Sequence, residues 1–280
     1  MMSLGRKVSL PADEFVREAI NIIDRARDRG VILRVLGAVA IYIHSLDKPD
    51  TLKIYNVMRR FEGEEAVFTD LDLIGYSKQR KNVIEFFEKD LRFKTDPYVK
   101  ALFGAKRLVY YHPQDLYHVD IFFDKLEFSH DVEFGSTPGR GRLELDYPTI
   151  SLADIVLEKL QIHEINRKDL VDLIVLFHGH QLCRERGVID RDCIDDDYIA
   201  DILSRDWGFW YDATTNLRKL AYIVSSEFSS IDPESSRIVL QRVDLLLSSI
   251  DQKPKSRDWI KRSKIGTSKP WYRTVEELER

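Results

Sequence analysis

Two short apolar segments contain aspartates at positions where a core strand normally has none. In segment 69–75 (TDLDLIG), Asp70 and Asp72 are two residues apart, and in segment 117–123 (YHVDIFF) Asp120 lies among apolar residues. Side chains two apart on a strand point to the same face, so both aspartates of the first segment share one side. Burying a lone carboxylate such as Asp120 costs on the order of several kcal/mol unless it is paired.

A divalent cation would relieve this accumulation of negative charge. If the two segments are neighbouring strands, about 4.8 Å apart, the three carboxylates can meet. Oxygen ligands suit Mg²⁺, and paired ions roughly 3.5–4 Å apart serve phosphoryl transfer. The sequence therefore predicts Asp70, Asp72 and Asp120 as metal ligands and catalytic residues around two Mg²⁺ ions. The alternative interpretation is that the Asp-x-Asp pair consists of exposed strand acids or salt-bridge partners.

The hydrophobic pattern predicts an α+β protein. We expect a helix over 11–29, a strand over 31–36 and a helix over 38–46, then a long connection over 47–68 with one short helix near 55–60. A helix over 78–91 and antiparallel strands over 108–111 and 117–123 follow, with an edge strand over 142–146. After residue 148 only helices are predicted. The predicted domains are an α/β domain over 1–150, a helical domain over 151–252 and a basic aromatic tail over 253–280.

Composition narrows the class of protein. Hydrophobic residues make up 44% and charged residues 32% of the 280 residues, which is typical of a globular chain. No apolar run approaches the ~20 residues that cross a bilayer, and no signal peptide is recognisable. The two cysteines, Cys183 and Cys193, match neither a disulfide framework nor a metal clip, so we expect both to be reduced. These features predict a cytoplasmic protein without membrane contact.

A glycine turn completes a pattern that resembles a known superfamily. Gly37-Ala38 stands between a predicted strand and helix, where helix N-termini favour phosphate. Together with Asp70-Leu71-Asp72 and Asp120, this order is similar to that of the nucleotidyltransferase superfamily. The motifs around Leu145–Asp154, Glu158–Gln161 and Lys168–Leu173 further resemble the abortive-infection (AbiEii-type) nucleotidyltransferase toxins and their uncharacterised bacterial relatives.

The resemblance implies a nucleotidyltransferase-type mixed β-sheet flanked by helices and followed by a C-terminal helical domain that completes the site. It implies Mg²⁺-dependent transfer of a nucleoside monophosphate from NTP to an acceptor hydroxyl on an RNA end or a protein. It also implies a toxin with an antitoxin partner. Gly37, Ala38, Lys159 and Asp169 would bind the nucleotide. Two departures from the family pattern are Ala38 in place of a second glycine or serine, and the long segment between Gly37 and Asp70. Either could accompany loss of activity.

The basic tail offers a possible nucleic-acid contact. Lys261 and Arg262 could neutralise phosphates and Trp271 could stack on a base of an RNA or tRNA acceptor. Equally, the tail could pack on the body of the protein. Two other functions remain open for the whole chain. One is a non-catalytic nucleotide- or RNA-binding protein of the same fold, and the other is a metal-dependent phosphohydrolase.

Overall fold

The computed structural model describes residues 10–60, 68–98, 104, 106–183 and 191–274 and shows a mixed α+β protein. Contacts among these residues divide the chain into two units, and the chain passes between them several times. The first unit draws on the ranges Met1–Ile43, Phe61–Lys125 and Glu133–Ile150, and the second on His44–Arg60, Leu126–Val132 and Ser151–Arg280. The predicted three-domain boundaries stay a prediction.

A four-stranded mixed sheet forms the centre of the first unit. Its strands are β1 (Leu33–Val35), β2 (Asp70–Gly75), β3 (Arg107–Tyr111) and β4 (His118–Phe123), in the spatial order β1-β2-β4-β3. β2 and β4 are parallel, whereas β1 is antiparallel to β2 and β3 to β4. Two short strands follow β4, namely β5 (Lys125–Glu127) and β6 (Asp131–Glu133), which the sequence did not predict.

Helices accompany the sheet where the sequence predicts them. α1 (Ala12–Asp28) begins after Pro11 and buries the apolar face that the periodicity indicates, while α2 (Gly37–His44) follows β1 directly. The predicted helix over 78–91 is a 3₁₀ turn (Ser77–Gln79), then an α-helix (Arg80–Glu85) and a π-helical turn (Phe86–Asp90). In the core, Phe15 of α1 contacts Tyr117 with ring centroids 5.0 Å apart, and Phe87 stacks on Tyr110 at 4.9 Å.

The second unit is built from helices. One comes early in the chain (Pro49–Val57), and the others follow residue 150: Leu152–Leu160, Arg167–Gly179, Asp196–Leu203, Trp207–Ile223, Pro233–Gln252 and Arg257–Ser263. Ser151 caps the helix Leu152–Leu160, since its hydroxyl accepts a hydrogen bond from the Asp154 N–H at 3.3 Å. Among the helices that the structure describes, none is long and apolar enough to traverse a bilayer.

Three local predictions are wrong. Segment 142–146 is not an edge strand, because the Leu143 N–H donates to the Tyr76 hydroxyl at 3.0 Å instead of to a neighbouring strand. The helix in the 47–68 connection covers Pro49–Val57 rather than 55–60, with proline in its first turn, where the missing N–H costs nothing; residues 61–67 lie outside the described ranges. Cys183 and Cys193 form a disulfide, because backbone hydrogen bonds between 181–183 and Ile194 bring the two residues together.

Candidate active site

The register of the sheet places Asp72 beside Asp120. In the parallel pair β2–β4, Asp72 is the direct partner of Asp120, and Asp70 is the partner of His118. Direct partners on neighbouring strands point to the same face, and residues two apart on one strand do so as well. Asp70, Asp72 and Asp120 therefore belong to one face of the sheet. On the other face, Leu71 and Leu73 are fully buried, as the alternation predicts.

An arginine and a histidine flank the buried carboxylate of Asp120. This residue is only 5% exposed. Arg107 Nη1 lies 3.9 Å from its Oδ1, and His118 Nε2 lies 3.9 Å from its Oδ2. These are long contacts that offset part of the cost of burying the charge. Asp70, in contrast, is exposed and accepts a hydrogen bond from the Thr69 hydroxyl at 3.0 Å. The site thus runs from a buried acid to a solvent-facing one.

The glycine turn begins directly beside these acids. The Leu36 N–H donates to the backbone carbonyl of Asp72 at 2.9 Å, which ties the end of β1 to the start of β2. Gly37 then has a φ of +65°, a backbone conformation that residues with a side chain adopt only at a cost in free energy. This turn starts α2, whose N-terminus is the positive end of the helix dipole. A phosphate-favouring helix start and the Asp72–Asp120 pair thus lie together at one end of the first unit's sheet.

The donor chemistry of this face fits Mg²⁺. All three acids offer carboxylate oxygens, the ligands that Mg²⁺ prefers, and a cation between Asp72 and Asp120 would reduce their mutual repulsion. As the side chains stand, no three His, Cys, Asp or Glu residues of the described chain are grouped closely enough to hold an ion.

Lys159 and Asp169 belong to a separate ion cluster in the second unit. Lys159 Nζ lies 2.8 Å from Asp169 Oδ1 and 3.0 Å from Asp172 Oδ2. Arg60 binds Asp172 from the other side, with Nε 2.6 Å from Oδ1 and Nη2 3.2 Å from Oδ2. The Asp172 side chain is completely buried, and the side chains of Lys159 and Arg60 are 9% and 10% exposed. The ammonium group predicted to bind a triphosphate is therefore engaged with two carboxylates here.

Electrostatics hold this cluster in its charged form. Burial alone would lower the pKa of Lys159, but Asp172 and Asp169 outweigh it and raise that pKa well above the ordinary value. Burial would likewise raise the pKa of Asp172, yet Lys159 and Arg60 lower it below the usual range. The cluster consequently keeps its charges over a wide range of pH.

The sequence analysis missed several residues that contact the aspartates of the sheet or the Lys159 ion cluster. His118 had a usable signal, because it stands two residues before Asp120 on the same strand and hence on the same face. Arg107 and Arg60 had none, since the first reaches Asp120 from β3 and the second reaches Asp172 across 112 positions of sequence. Contacts between residues so far apart in the chain leave no local pattern.

The C-terminal tail is folded onto the second unit. Arg262 donates to the carbonyls of Gly266 (2.7 Å), Lys269 (3.0 Å) and Pro270 (3.3 Å), and Trp271 Nε1 donates to Asp212 at 3.0 Å. Of the three residues predicted to contact RNA, two thus serve the fold of the tail itself. Only Lys261 is exposed. The contacts of Arg262 and Trp271 favour the alternative of a packed tail.

Comparison of the chain with protein-family models, with curated proteins and with solved structures finds no match in any of the three.

Proposed function

We propose that this protein is a Mg²⁺-dependent nucleotidyltransferase that moves a nucleoside monophosphate from NTP to an acceptor hydroxyl. The observation that carries the proposal is the side-by-side register of Asp72 and Asp120 on parallel strands, with Asp70 on the same face. The second support is the Gly37 turn, which the Leu36–Asp72 hydrogen bond holds next to these acids. Carboxylates beside a phosphate-favouring helix start are what a metal–triphosphate substrate requires.

Each residue has a distinct role in the proposed reaction. Asp70, Asp72 and Asp120 would hold Mg²⁺, which supplies positive charge to the triphosphate and to the attacking oxygen. Asp120 accepts the proton of the acceptor hydroxyl. The hydroxyl oxygen bonds to the α-phosphorus, the bond from that phosphorus to the bridging oxygen breaks, and pyrophosphate leaves with the electron pair. Backbone N–H groups of the turn at Gly37 and Ala38 bind phosphate oxygens.

The resemblance to nucleotidyltransferases extends the proposal to the second unit and to the biology. It assigns Lys159 and Asp169 to the nucleotide, as residues of a C-terminal helical domain, and an RNA end or a protein hydroxyl to the role of acceptor. It also assigns the protein the role of a toxin with an antitoxin partner, and the cytoplasmic location expected from the sequence stays part of the proposal. Growth arrest on expression of the wild-type chain, and normal growth with Asp72→Asn, is the expected outcome for a toxin.

A transfer assay tests the chemistry. The full chain is incubated with Mg²⁺, α-labelled NTPs and a pool of RNA, and then with protein acceptors, and label is followed into the acceptor. We expect Asp72→Asn and Asp120→Asn to lower transfer at least a hundredfold. The matched control is Asp124→Asn, because Asp124 directly follows β4, the strand of Asp120, and its carboxylate accepts a hydrogen bond from the Ser77 N–H at 2.7 Å. Equal transfer by all four proteins would refute the assignment.

The ion pairs of Lys159 support a second candidate, a non-catalytic nucleotide-binding protein. An ammonium held by Asp169 and Asp172 has to break at least one contact before it can reach a phosphate. Calorimetry with Mg·NTP distinguishes the candidates. Saturable binding without label on any acceptor would favour the binding protein, whereas transfer would favour the enzyme. Release of phosphate without acceptor labelling would instead indicate a phosphohydrolase.

A further inference from the structure

Asp212 of the second unit receives three hydrogen bonds from aromatic nitrogens. Its Oδ2 lies 2.8 Å from His130 Nε2, and its Oδ1 lies 3.0 Å from both His163 Nδ1 and Trp271 Nε1. The carboxylate and the His130 ring are buried, with side-chain exposures of 3% each, whereas the His163 side chain is 23% exposed. One carboxylate thus fixes an inner and an outer histidine.

The hydrogen bonds determine which nitrogen of His163 carries the proton. Burial alone would raise the pKa of Asp212, but hydrogen bonds from His130, Trp271 and His163 lower it below its usual range. An ionised carboxylate accepts only, so Nδ1 of His163 must carry hydrogen. In the neutral ring, Nε2 is then left as a hydrogen-bond acceptor. A carboxylate that orients a histidine in this way is the arrangement that prepares an imidazole to take a proton.

His163 forms part of the wall of a cavity of about 710 Å³. The Tyr272 ring stacks on the imidazole with centroids 3.5 Å apart, and the His163 backbone N–H donates to the Ser129 hydroxyl at 3.2 Å. Glu164, Asp169 and Arg273 are the other charged residues of the lining, and Asn166 and Thr274 add uncharged polar groups. A cavity of this size holds a small molecule.

The polar lining favours a ligand that donates hydrogen bonds. His163 Nε2 and the exposed carboxylate of Glu164 are acceptors. The guanidinium of Arg273 is neutralised locally, because it pairs with Asp131 and donates to the Phe128 carbonyl at 2.9 Å. An anion such as phosphate would meet carboxylates without a free positive partner, whereas hydroxyl and ammonium groups would find acceptors.

We propose that this cavity binds a small hydroxyl- and amine-bearing ligand, with His163 Nε2 accepting a hydrogen bond from one of its hydroxyls. Asp212 acts as a positioning residue that fixes the imidazole, and Glu164 binds the amine. The cavity wall includes Asp169, which the resemblance assigns to the nucleotide, but the proposal does not depend on nucleotidyl transfer, because ligand binding is measured without NTP.

Nitrogen-detected NMR on the full chain with labelled histidine tests the proton position first. We expect Nδ1 of His163 to carry hydrogen, and a ring that carries hydrogen on Nε2 alone would overturn the proposal. Calorimetry with glucosamine and with inorganic phosphate then tests the ligand chemistry. Glucosamine should bind at least tenfold tighter than phosphate and should shift the His163 Nε2 resonance. Tighter binding of phosphate, or no saturable binding of glucosamine, would contradict it.

Variants separate binding from folding. Both His163→Gln and Glu164→Gln should weaken glucosamine binding at least fivefold. Glu164 is exposed and does not belong to the Asp212 cluster. Glu164→Gln therefore tests the site even if His163→Gln unfolds the protein. The matched control is His178→Gln, since that half-buried histidine contacts Thr51 at 2.9 Å and does not line the cavity. Unchanged binding in Glu164→Gln, or equal weakening in His178→Gln, would refute the assignment.

Discussion

Replacing Asp172 by asparagine removes the negative charge between Lys159 and Arg60 while keeping the side-chain shape. Asp172 is fully buried and contacts both cations within 3.0 Å, so the variant leaves two enclosed positive groups with Asp169 as their nearby carboxylate. Breaking a buried ion pair in this way costs about 3–5 kcal/mol. For a chain of this size that corresponds to a fall in Tm of roughly 6–20 °C.

Urea unfolding followed by circular dichroism measures this loss, with Asp169→Asn as the matched control. Asp169 pairs with Lys159 at 2.8 Å and is 13% exposed, so the loss of its charge should cost about 1 kcal/mol. The pKa of Asp172 is lower in the folded than in the unfolded protein, so its ionisation stabilises the fold. This contribution to the free energy of unfolding is complete above the unfolded-state pKa, about 3.9. It is lost as the pH falls through the folded-state pKa. The cost of Asp172→Asn should therefore be constant from pH 5 to 9 and should shrink in acid. Equal costs for the two variants would refute the reasoning.

Three further perturbations follow from single residues. Gly37→Ala places a side chain at a φ of +65° and should cost about 1–2 kcal/mol in urea unfolding; an unchanged midpoint would contradict the turn. Gly208→Ala puts a Cβ 2.5 Å from the Trp271 carbonyl oxygen, so trypsin should cleave after Arg273 faster than in the wild type, and an identical rate would contradict the docked tail. Burial, with help from Lys48 and His44, lowers the pKa of His180 to about 4. Stability should therefore fall as pH drops from about 6.5 toward 4, by roughly 3 kcal/mol, whereas His180→Gln should lack this loss.

The parts of the fold that follow local patterns could be predicted from sequence. Alternation placed Asp70 and Asp72 on the face opposite Leu71 and Leu73, and apolar periodicity identified α1. The glycine turn was predictable because Gly37 stands between a strand pattern and a helix pattern, where glycine favours a tight turn. Sequence could not supply the pairing of β2 with β4, on which the meeting of Asp72 and Asp120 depends, because strand partners are chosen by the whole sheet.

Other features depended on contacts between distant segments. The Asp212 cluster joins residues from four parts of the chain, and neither His130 nor His163 has a periodic or motif signal. Segment 142–146 carried a strand-like pattern, but the Tyr76 hydroxyl, far away in sequence, takes the N–H that a strand would have donated to its neighbour. Arg262 donates to carbonyls only a few residues further along the chain. The residues between them have no periodic pattern, so the conformation of the tail could not be predicted.

Counting bound metal ions tests the central claim most directly. Mn²⁺ can stand in for Mg²⁺, and electron paramagnetic resonance reports the free ion as the wild-type chain is titrated in the presence of a non-hydrolysable NTP analogue. The account predicts saturable binding that is lost in Asp72→Asn and in Asp120→Asn and is retained in Asp124→Asn. Identical Mn²⁺ binding by the wild type and all three variants would contradict a metal–nucleotide site between Asp72 and Asp120.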